Sequence, residues 1–156
     1  DILPRGAIDH FAYDRVIFAD GTDETIGAII WATGYRVSFP FFDDPELAPK
    51  DNRLPLFKRM VKPGYNNLFF LGLAQPLPTL VNFAEQQSKL IAAAIHGDYV
   101  FPSDDDMQQV IQADERLHMG HFYEAARHTM QVDFNVYCRD LIKEVERGRQ
   151  RRHQAA

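Results

Sequence analysis

Residues 68–97 constrain the fold of this chain most, because a strand-like pattern is followed there by a helix-like one. Residues 68–71 are continuously apolar, which predicts a buried strand that Pro76 brings to an end. From Thr79 onward apolar residues recur at helical spacing, with Thr79 as the predicted N-cap and Gly97 as the predicted residue after the C-cap. The pattern indicates a strand, a loop and a helix, the building unit of an α/β protein.

The residues before this stretch predict short strands and then a region poor in regular structure. Residues 16–18 and 28–31 are strand-like, and Asp20-Gly21 marks a chain reversal between them. Residues 28–31 are continuously apolar, so we expect a strand covered on both faces. Five prolines between residues 39 and 63 limit regular elements. We expect an ordered segment with little regular secondary structure there, because several large apolar side chains require burial: Phe41, Phe42, Leu54, Leu56 and Phe57.

The residues after this stretch predict helices. Ser103 is the predicted N-cap of a helix with three aspartates in its first turn, and Gly120 is predicted to interrupt that helix. Apolar residues continue at helical spacing from about residue 121 to residue 147. Residues 148–156 are polar, and we expect them to fray. The excess of cations between residues 139 and 153 predicts a solvated helix end that complements the helix dipole.

Size, charge and cysteine content narrow the class of protein. With 156 residues the chain amounts to one domain or part of one, which is short for an enzyme that binds two nucleotides. The net charge of -5 disfavours nucleic-acid binding, since such proteins are usually basic. No apolar run reaches the length of a membrane span. The single cysteine, Cys138, excludes an internal disulfide and fits a reducing compartment, so we expect a cytoplasmic protein.

The sequence shows no catalytic acid–base pair and no metal-binding cluster. His118 and His121 could share one helix face, but a glycine lies between them and no acidic third ligand follows, which favours a solvated helix end. Cys138 lacks a neighbouring base or cation, which favours an inert buried thiol. Glu85 follows Asn82 by three residues, and a helix-capping role is favoured over acid–base chemistry.

Three segments together carry a resemblance to a known family. They are Ile30-Trp31-Ala32-Thr33-Gly34-Tyr35 with Phe39-Pro40-Phe41, Leu56-Phe57-Lys58-Arg59 leading into Leu71-Gly72-Leu73-Ala74-Gln75-Pro76, and Arg127-His128-Thr129-Met130-Gln131. In this order and spacing they resemble the C-terminal third of the flavin-containing monooxygenases. The resemblance implies an α/β fold, the C-terminal part of a flavoprotein with two dinucleotide-binding domains. It implies that residues 1–100 complete the FAD-binding domain and that residues 101–156 form a helical extension.

The same resemblance implies contacts with the cofactor. Gly34 lies in a turn whose small residues let main chain approach a bulky ligand. Gly72 and Gln75 lie where related enzymes bring a strand end against the flavin, and Thr79 starts a helix whose N-terminus faces the flavin ring. Each has a structural alternative, because a tight strand exit explains Gly34, and backbone hydrogen bonds in a bend explain Gln75 and Thr79. We predict no catalytic residue and no metal ligand.

The activity that the resemblance implies is oxygenation of a small nitrogen- or sulfur-containing nucleophile, or of a ketone, with FAD, NADPH and O2. No Gly-x-Gly-x-x-Gly loop follows a strand in this chain, and that loop cradles the pyrophosphate of a dinucleotide. We therefore expect the chain to begin inside a longer protein, to require N-terminal FAD- and NADPH-binding segments, and to be inactive alone. The alternative is a noncatalytic remnant or interaction module with the same fold pattern.

Overall fold

The computed structural model describes residues 2–77, 79–119 and 130–155. The chain divides into two compact units, Asp1–Gly34 and Tyr35–Ala156. Short strands come first and long helices dominate the second unit, which confirms the predicted mixed fold with a helical C-terminal region.

The first unit is a small antiparallel sheet. Strands β1 (Ile8–Ala12), β2 (Arg15–Phe18) and β3 (Asp23–Thr25) pair in sequence order. Alternation along the central strand β2 buries Val16 and Phe18. Between β2 and β3 the chain reverses at Asp20-Gly21, where Gly21 has a φ of 83°. The predicted strand at residues 16–18 and the reversal after it are confirmed.

Residues 28–31 do not form the predicted buried strand. Ile30 is 92% exposed and Trp31 is 65% exposed. A strand covered on both faces needs partners along its edges and layers over its faces. Among the residues described in this unit, the sheet contains only β1, β2 and β3, so the apolar run has nothing to pair with. The prediction from apolarity was therefore wrong here.

In the part of the second unit that the structure describes, three helices pack around one core. The helices are α1 (Leu80–Ile95), α2 (Asp104–Met119) and α3 (Phe134–Ala155). Two short strands, β4 (Gln75–Leu77) and β5 (Gln131–Asp133), form a parallel pair. The core includes side chains from all three helices and from the segment before β4: Phe57, Met60, Val61, Phe83, Leu90, Met107, Ile111, Tyr137 and Leu141.

The predicted ends of α1 and the predicted start of α2 are confirmed. The Oγ1 atom of Thr79 accepts a hydrogen bond from the backbone N–H of Asn82 at 3.3 Å. Gly97 follows the C-cap with a φ of 75°, in the left-handed region that glycine adopts freely. At the start of α2, the Oγ atom of Ser103 accepts from the backbone N–H of Asp106 at 3.2 Å.

Two predictions about strands in this unit were wrong. Residues 68–71 form no strand, although Phe70 is buried. Strand β4 begins later and contains Pro76, which was expected to end a strand. A proline has no N–H for a strand ladder, and it is tolerated in β4 because a two-stranded sheet leaves one side of each strand unpaired.

Helix α3 begins later than the predicted helix of residues 121–147. Residues 120–129, with the expected interruption at Gly120, lie outside the described residues. Residues 131–133 form β5 instead of helix, because they pair with β4. Tertiary pairing therefore overrides the helical spacing at this point.

Helix α3 also continues through residues 148–155, which were expected to fray. Gly148 is buried against the ring of Tyr99, and the Arg151 guanidinium is paired with the buried carboxylate of Glu144. Arg152 pairs with Asp98 at 2.8 Å. The prediction of a solvated helix end was wrong, because several of its cations anchor the helix to the loop after α1.

The proline-rich segment is ordered, as predicted. It contains a 3-10 helix at Pro45–Leu47 and a second apolar cluster of four buried side chains: Leu47, Leu54, Leu56 and Phe70. Phe41 is the exception to the predicted burial, since it is 74% exposed. The core of the second unit draws on residues from both sides of position 100, and the division into residues 1–100 and 101–156 remains a prediction.

Candidate functional site

Three of the predicted contact residues, Gly72, Gln75 and Thr79, lie in the bend that leads into α1. Gly72 has a φ of 75°, which glycine adopts without steric cost. A Cβ atom built on Gly72 would lie 3.7 Å from the Cδ1 atom of Leu80. The bend therefore holds Gly72 close to the first turn of the helix that Thr79 caps.

Gln87, a fully buried residue of α1, fixes this bend. Its Oε1 atom accepts from the backbone N–H of Gly72 at 2.8 Å, and its Nε2 atom donates to the Oη atom of Tyr137 at 3.0 Å. The Tyr137 hydroxyl donates in turn to the carbonyl oxygen of Lys58 at 2.7 Å. No motif predicted this role for Gln87. The available signal was a glutamine on the apolar stripe of an amphipathic helix, which indicates a buried and hydrogen-bonded polar group.

Burial shifts the pKa values of two ionisable groups near Gln87, those of Tyr137 and Arg59. It raises the pKa of the Tyr137 phenol, because the phenolate is disfavoured away from water, so the hydroxyl remains a hydrogen-bond donor at neutral pH. Burial also lowers the pKa of the Arg59 guanidinium, against the opposing attraction of Asp114. Arginine nevertheless stays charged, since its ordinary pKa lies far above neutrality.

The N-terminus of α1 presents an apolar and electropositive surface. Leu80 is 49% exposed and Val81 is 78% exposed. The first N–H groups of a helix have no partner within the helix, and the Thr79 side chain satisfies the one at Asn82. The helix has no acidic residue in its first turn. This end of α1 can therefore attract an apolar ligand that carries negative charge.

Gln75 and Gly34 have less structural support as contact residues. The backbone N–H of Gln75 donates to the carbonyl oxygen of Met130 at 2.7 Å, and its side chain is exposed. Gly34 ends the first unit with a φ of 88°, and no atom lies within 4 Å of a Cβ built there. Among the described residues nothing crowds the main chain at Gly34, and its contact with a cofactor stays a prediction.

The remaining candidates show no reactive geometry. Cys138 is partly buried, and burial raises the pKa of its thiol, which agrees with an inert cysteine. Asn82 and Glu85 lie inside α1, where Glu85 pairs with Lys89 at 3.3 Å. The capping role predicted for these two side chains was wrong, because Thr79 occupies the cap.

The side chains of the histidines considered in the sequence lie outside the part of the chain that the structure describes. The side chain of His118 and the whole of His121 and His128 lie outside the described residues. Within residues 2–77, 79–119 and 130–155, no three metal-ligating side chains come together. In the same ranges, no helix is long and apolar enough to cross a membrane.

Comparison with known proteins gives the class that this fold and bend define. Residues 2–150 match the flavin-binding monooxygenase-like family, and the chain belongs to that family. It is 32% identical over 133 residues to flavin-containing monooxygenase 5 of Oryctolagus cuniculus, a match that covers 83% of this chain. It is 32% identical over 148 residues to flavin-containing monooxygenase 2 of Homo sapiens, a match that covers 92% of this chain.

A solved structure supports the same assignment. The S-allyl-L-cysteine S-oxygenase from Allium sativum resembles this chain with a TM-score of 0.68 and 27% sequence identity. The match covers 89% of this chain and 33% of the garlic protein. The chain spans about a quarter of the length of the curated relatives, 25% of the rabbit protein and 28% of the human one.

The family implies a flavin, typically FAD with NADPH, in the longer parent protein, and the chemistry of the residues in the bend is compatible with such a group. An isoalloxazine ring requires an apolar surface, and Leu71, Leu80 and Val81 expose one beside the bend. A reduced flavin carries negative charge, which the N-terminus of α1 favours. Gly72 adds no side chain that would obstruct the approach.

Proposed function

We propose that this chain completes the FAD-binding domain of an NADPH- and O2-dependent monooxygenase. Its substrate class is a small nitrogen- or sulfur-containing nucleophile, or a ketone. The observation that carries the proposal is the exposed N-terminus of α1, which follows a bend held by Gly72 and Gln87. The solved S-oxygenase of similar structure supports sulfur as an acceptor atom.

The proposed roles follow from the physical properties of each group. Bound FAD would accept a hydride from NADPH and activate O2 for transfer of one oxygen atom to the substrate. Leu80 and Val81 exclude water from one side of the ring. The first turn of α1 favours negative charge on the reduced cofactor, and Thr79 keeps that turn in place. Gly34 and Gln75 are the further proposed contacts.

The proposed partners are FAD- and NADPH-binding segments that supply the missing glycine-rich loops. Those loops provide the backbone N–H groups that hold a pyrophosphate. We infer that the chain is inactive without them and that the working enzyme is cytoplasmic. A noncatalytic remnant is the rival function, and flavin content of the longer protein separates the two.

Replacement of Thr79 tests the site. In the flavin-bound protein that carries this chain, Thr79→Val should reduce bound flavin per chain and slow flavin reduction by NADPH. It should also lower the free energy of unfolding by about 0.5–2 kcal/mol, the usual cost of a lost N-cap. The measurements are flavin absorbance per chain, stopped-flow reduction and thermal unfolding on the same preparations.

Ser103→Ala is the matched control, because it removes the N-cap of α2 and leaves the bend intact. It should cost a similar amount of stability and leave flavin content and reduction unchanged. If Thr79→Val and Ser103→Ala behave alike in flavin content and reduction, Thr79 is only a helix cap, and the proposed contact is wrong.

A further inference from the structure

The turn at Lys58 and Arg59 has a geometry that the proposed oxygenase function does not use. Both residues have positive φ angles, 49° and 57°, which are uncommon for residues other than glycine. The turn lies between Phe57 and Val61, which form a β-bridge. The hydrogen bond from Tyr137 to the Lys58 carbonyl holds it from α3. Such backbone persists only where the surroundings fix it, and it is concentrated at binding sites.

The Lys58 side chain is buried and forms ion pairs with two aspartates. The side chain is 3% exposed. Its Nζ atom lies 2.5 Å from Oδ2 of Asp140 and 3.3 Å from Oδ2 of Asp114. Two carboxylates from two different helices therefore share one buried ammonium. The single ammonium balances one of the two carboxylate charges, and Asp114 also attracts the neighbouring Arg59 guanidinium.

Arg59, the next residue, has no such ion pair among the described residues. It lines a cavity of about 280 Å³ together with six other residues: Asp114, Val136, Tyr137, Arg139, Asp140 and Lys143. Among the described residues, the Arg59 guanidinium forms no ion pair within 4 Å, and it feels Asp114 and Glu115 only at longer range. A largely buried cation without a close anion is costly, unless a ligand supplies the charge.

Two further cations line the same cavity from α3. Arg139 and Lys143 are four residues apart, so they lie on one face of the helix. Neither forms an ion pair with a carboxylate in the ranges that the structure describes. With Arg59 they make three lining cations against two lining aspartates, so the described lining of the cavity has a net charge of +1.

We propose that this cavity binds the phosphate group of a small phosphate ester. A phosphate monoester carries close to two negative charges at neutral pH, and the three lining cations can pair with them. Two guanidinium groups provide the planar, paired N–H donors that suit phosphate oxygens, and Lys143 adds a point charge. The volume is below that of a typical drug-sized pocket, so the ligand is small. The site does not depend on the flavin proposed above.

Titration of the full chain with inorganic phosphate and with glycerol 3-phosphate tests the proposal. Calorimetry at constant ionic strength should show saturable binding of both, and each should raise the melting temperature. Arg139→Gln and Lys143→Gln should each weaken phosphate binding at least tenfold. Arg149→Gln is the matched control, because it makes the same charge change on an exposed part of α3 outside the cavity.

Arg59→Met separates a ligand-binding role from a structural one. If Arg59 serves to bind an anion, its replacement should abolish phosphate binding and the rise in melting temperature that phosphate causes. The melting temperature of the ligand-free variant should equal or exceed that of the native chain. Phosphate binding that is absent, or that weakens equally in Arg149→Gln, overturns the proposal. Saturable binding of malonate without binding of phosphate also overturns it, since the site would then prefer carboxylates.

Discussion

Gln87 is a single side chain that connects three parts of the second unit. It joins the bend at Gly72 to Tyr137 on α3, and Tyr137 reaches the turn at Lys58. Each of these groups is buried or partly buried, so a lost hydrogen bond is not replaced by water without cost. The bend and the phosphate cavity therefore share one internal support.

Gln87→Leu should lower the free energy of unfolding by about 1–3 kcal/mol, because it leaves the partly buried N–H of Gly72 without its acceptor. Chemical denaturation of both proteins measures the difference. Gln86→Leu is the control, since the side chain of Gln86 bonds only the exposed Lys89 in the described structure. Equal stability of the two variants would show that the Gln87 network is not important for stability.

Helix α3 is fixed at both ends by side chains from distant parts of the chain. Near its start, Tyr137 lies in the core against the ring of Phe83, with ring centroids 4.4 Å apart. Near its end, Gly148 allows the Tyr99 ring to approach the helix backbone. The hydroxyl of Tyr99 donates to Glu144 at 2.9 Å, which ties the loop after α1 to this helix.

Gly148→Ala should destabilise the protein, although the same change in an exposed helix is usually stabilising by about 1 kcal/mol. A Cβ atom at this position would lie 2.0 Å from the Cδ2 atom of Tyr99, and both ring and helix are held in place. We expect the free energy of unfolding to fall by about 1–3 kcal/mol, the usual cost of overpacking.

A double-mutant cycle provides the check. Tyr99→Leu removes the ring, so Gly148→Ala should cost much less in that background than in the native one. The same cost in both backgrounds would mean that the ring contact does not restrict position 148. Thermal and chemical unfolding of the four proteins give the coupling energy.

Several large apolar side chains are exposed in the part of the chain that the structure describes. In the first unit they include Ile29, Ile30 and Trp31, and in the second Phe41 and Leu71. Contiguous exposed apolar residues in a soluble protein mark surfaces that another segment or partner covers. This fits the proposal that FAD- and NADPH-binding segments complete the enzyme.

Trp31, the single tryptophan, reports on that coverage. In the 156-residue chain its fluorescence should be quenched readily by iodide, because the side chain is 65% exposed. In the longer flavin-bound protein, with any other tryptophan replaced by phenylalanine, quenching should fall. Trp31→Phe supplies the background signal. Equal quenching in both proteins would show that residues 28–31 remain uncovered, contrary to the proposed assembly.

The local signals in the sequence determined the parts of the structure that depend on neighbouring residues. Thr79 and Ser103 were correctly predicted as caps, because an N-cap hydrogen bond joins residues three apart. Gly97 and the Asp20-Gly21 reversal followed from backbone freedom at glycine. The family assignment also came from the sequence, since its motifs keep their order and spacing.

The tertiary structure decided what depends on residues far apart in the chain. Apolarity predicted strands at residues 28–31 and 68–71, but a strand exists only when a partner strand takes its hydrogen bonds. Residues 131–133 became β5 for the converse reason, because β4 lies beside them. The hydrogen bonds of the Gln87 network join residues 15, 50 and 79 positions apart, and the cavity at Arg59 likewise joins distant segments, which no local pattern encodes.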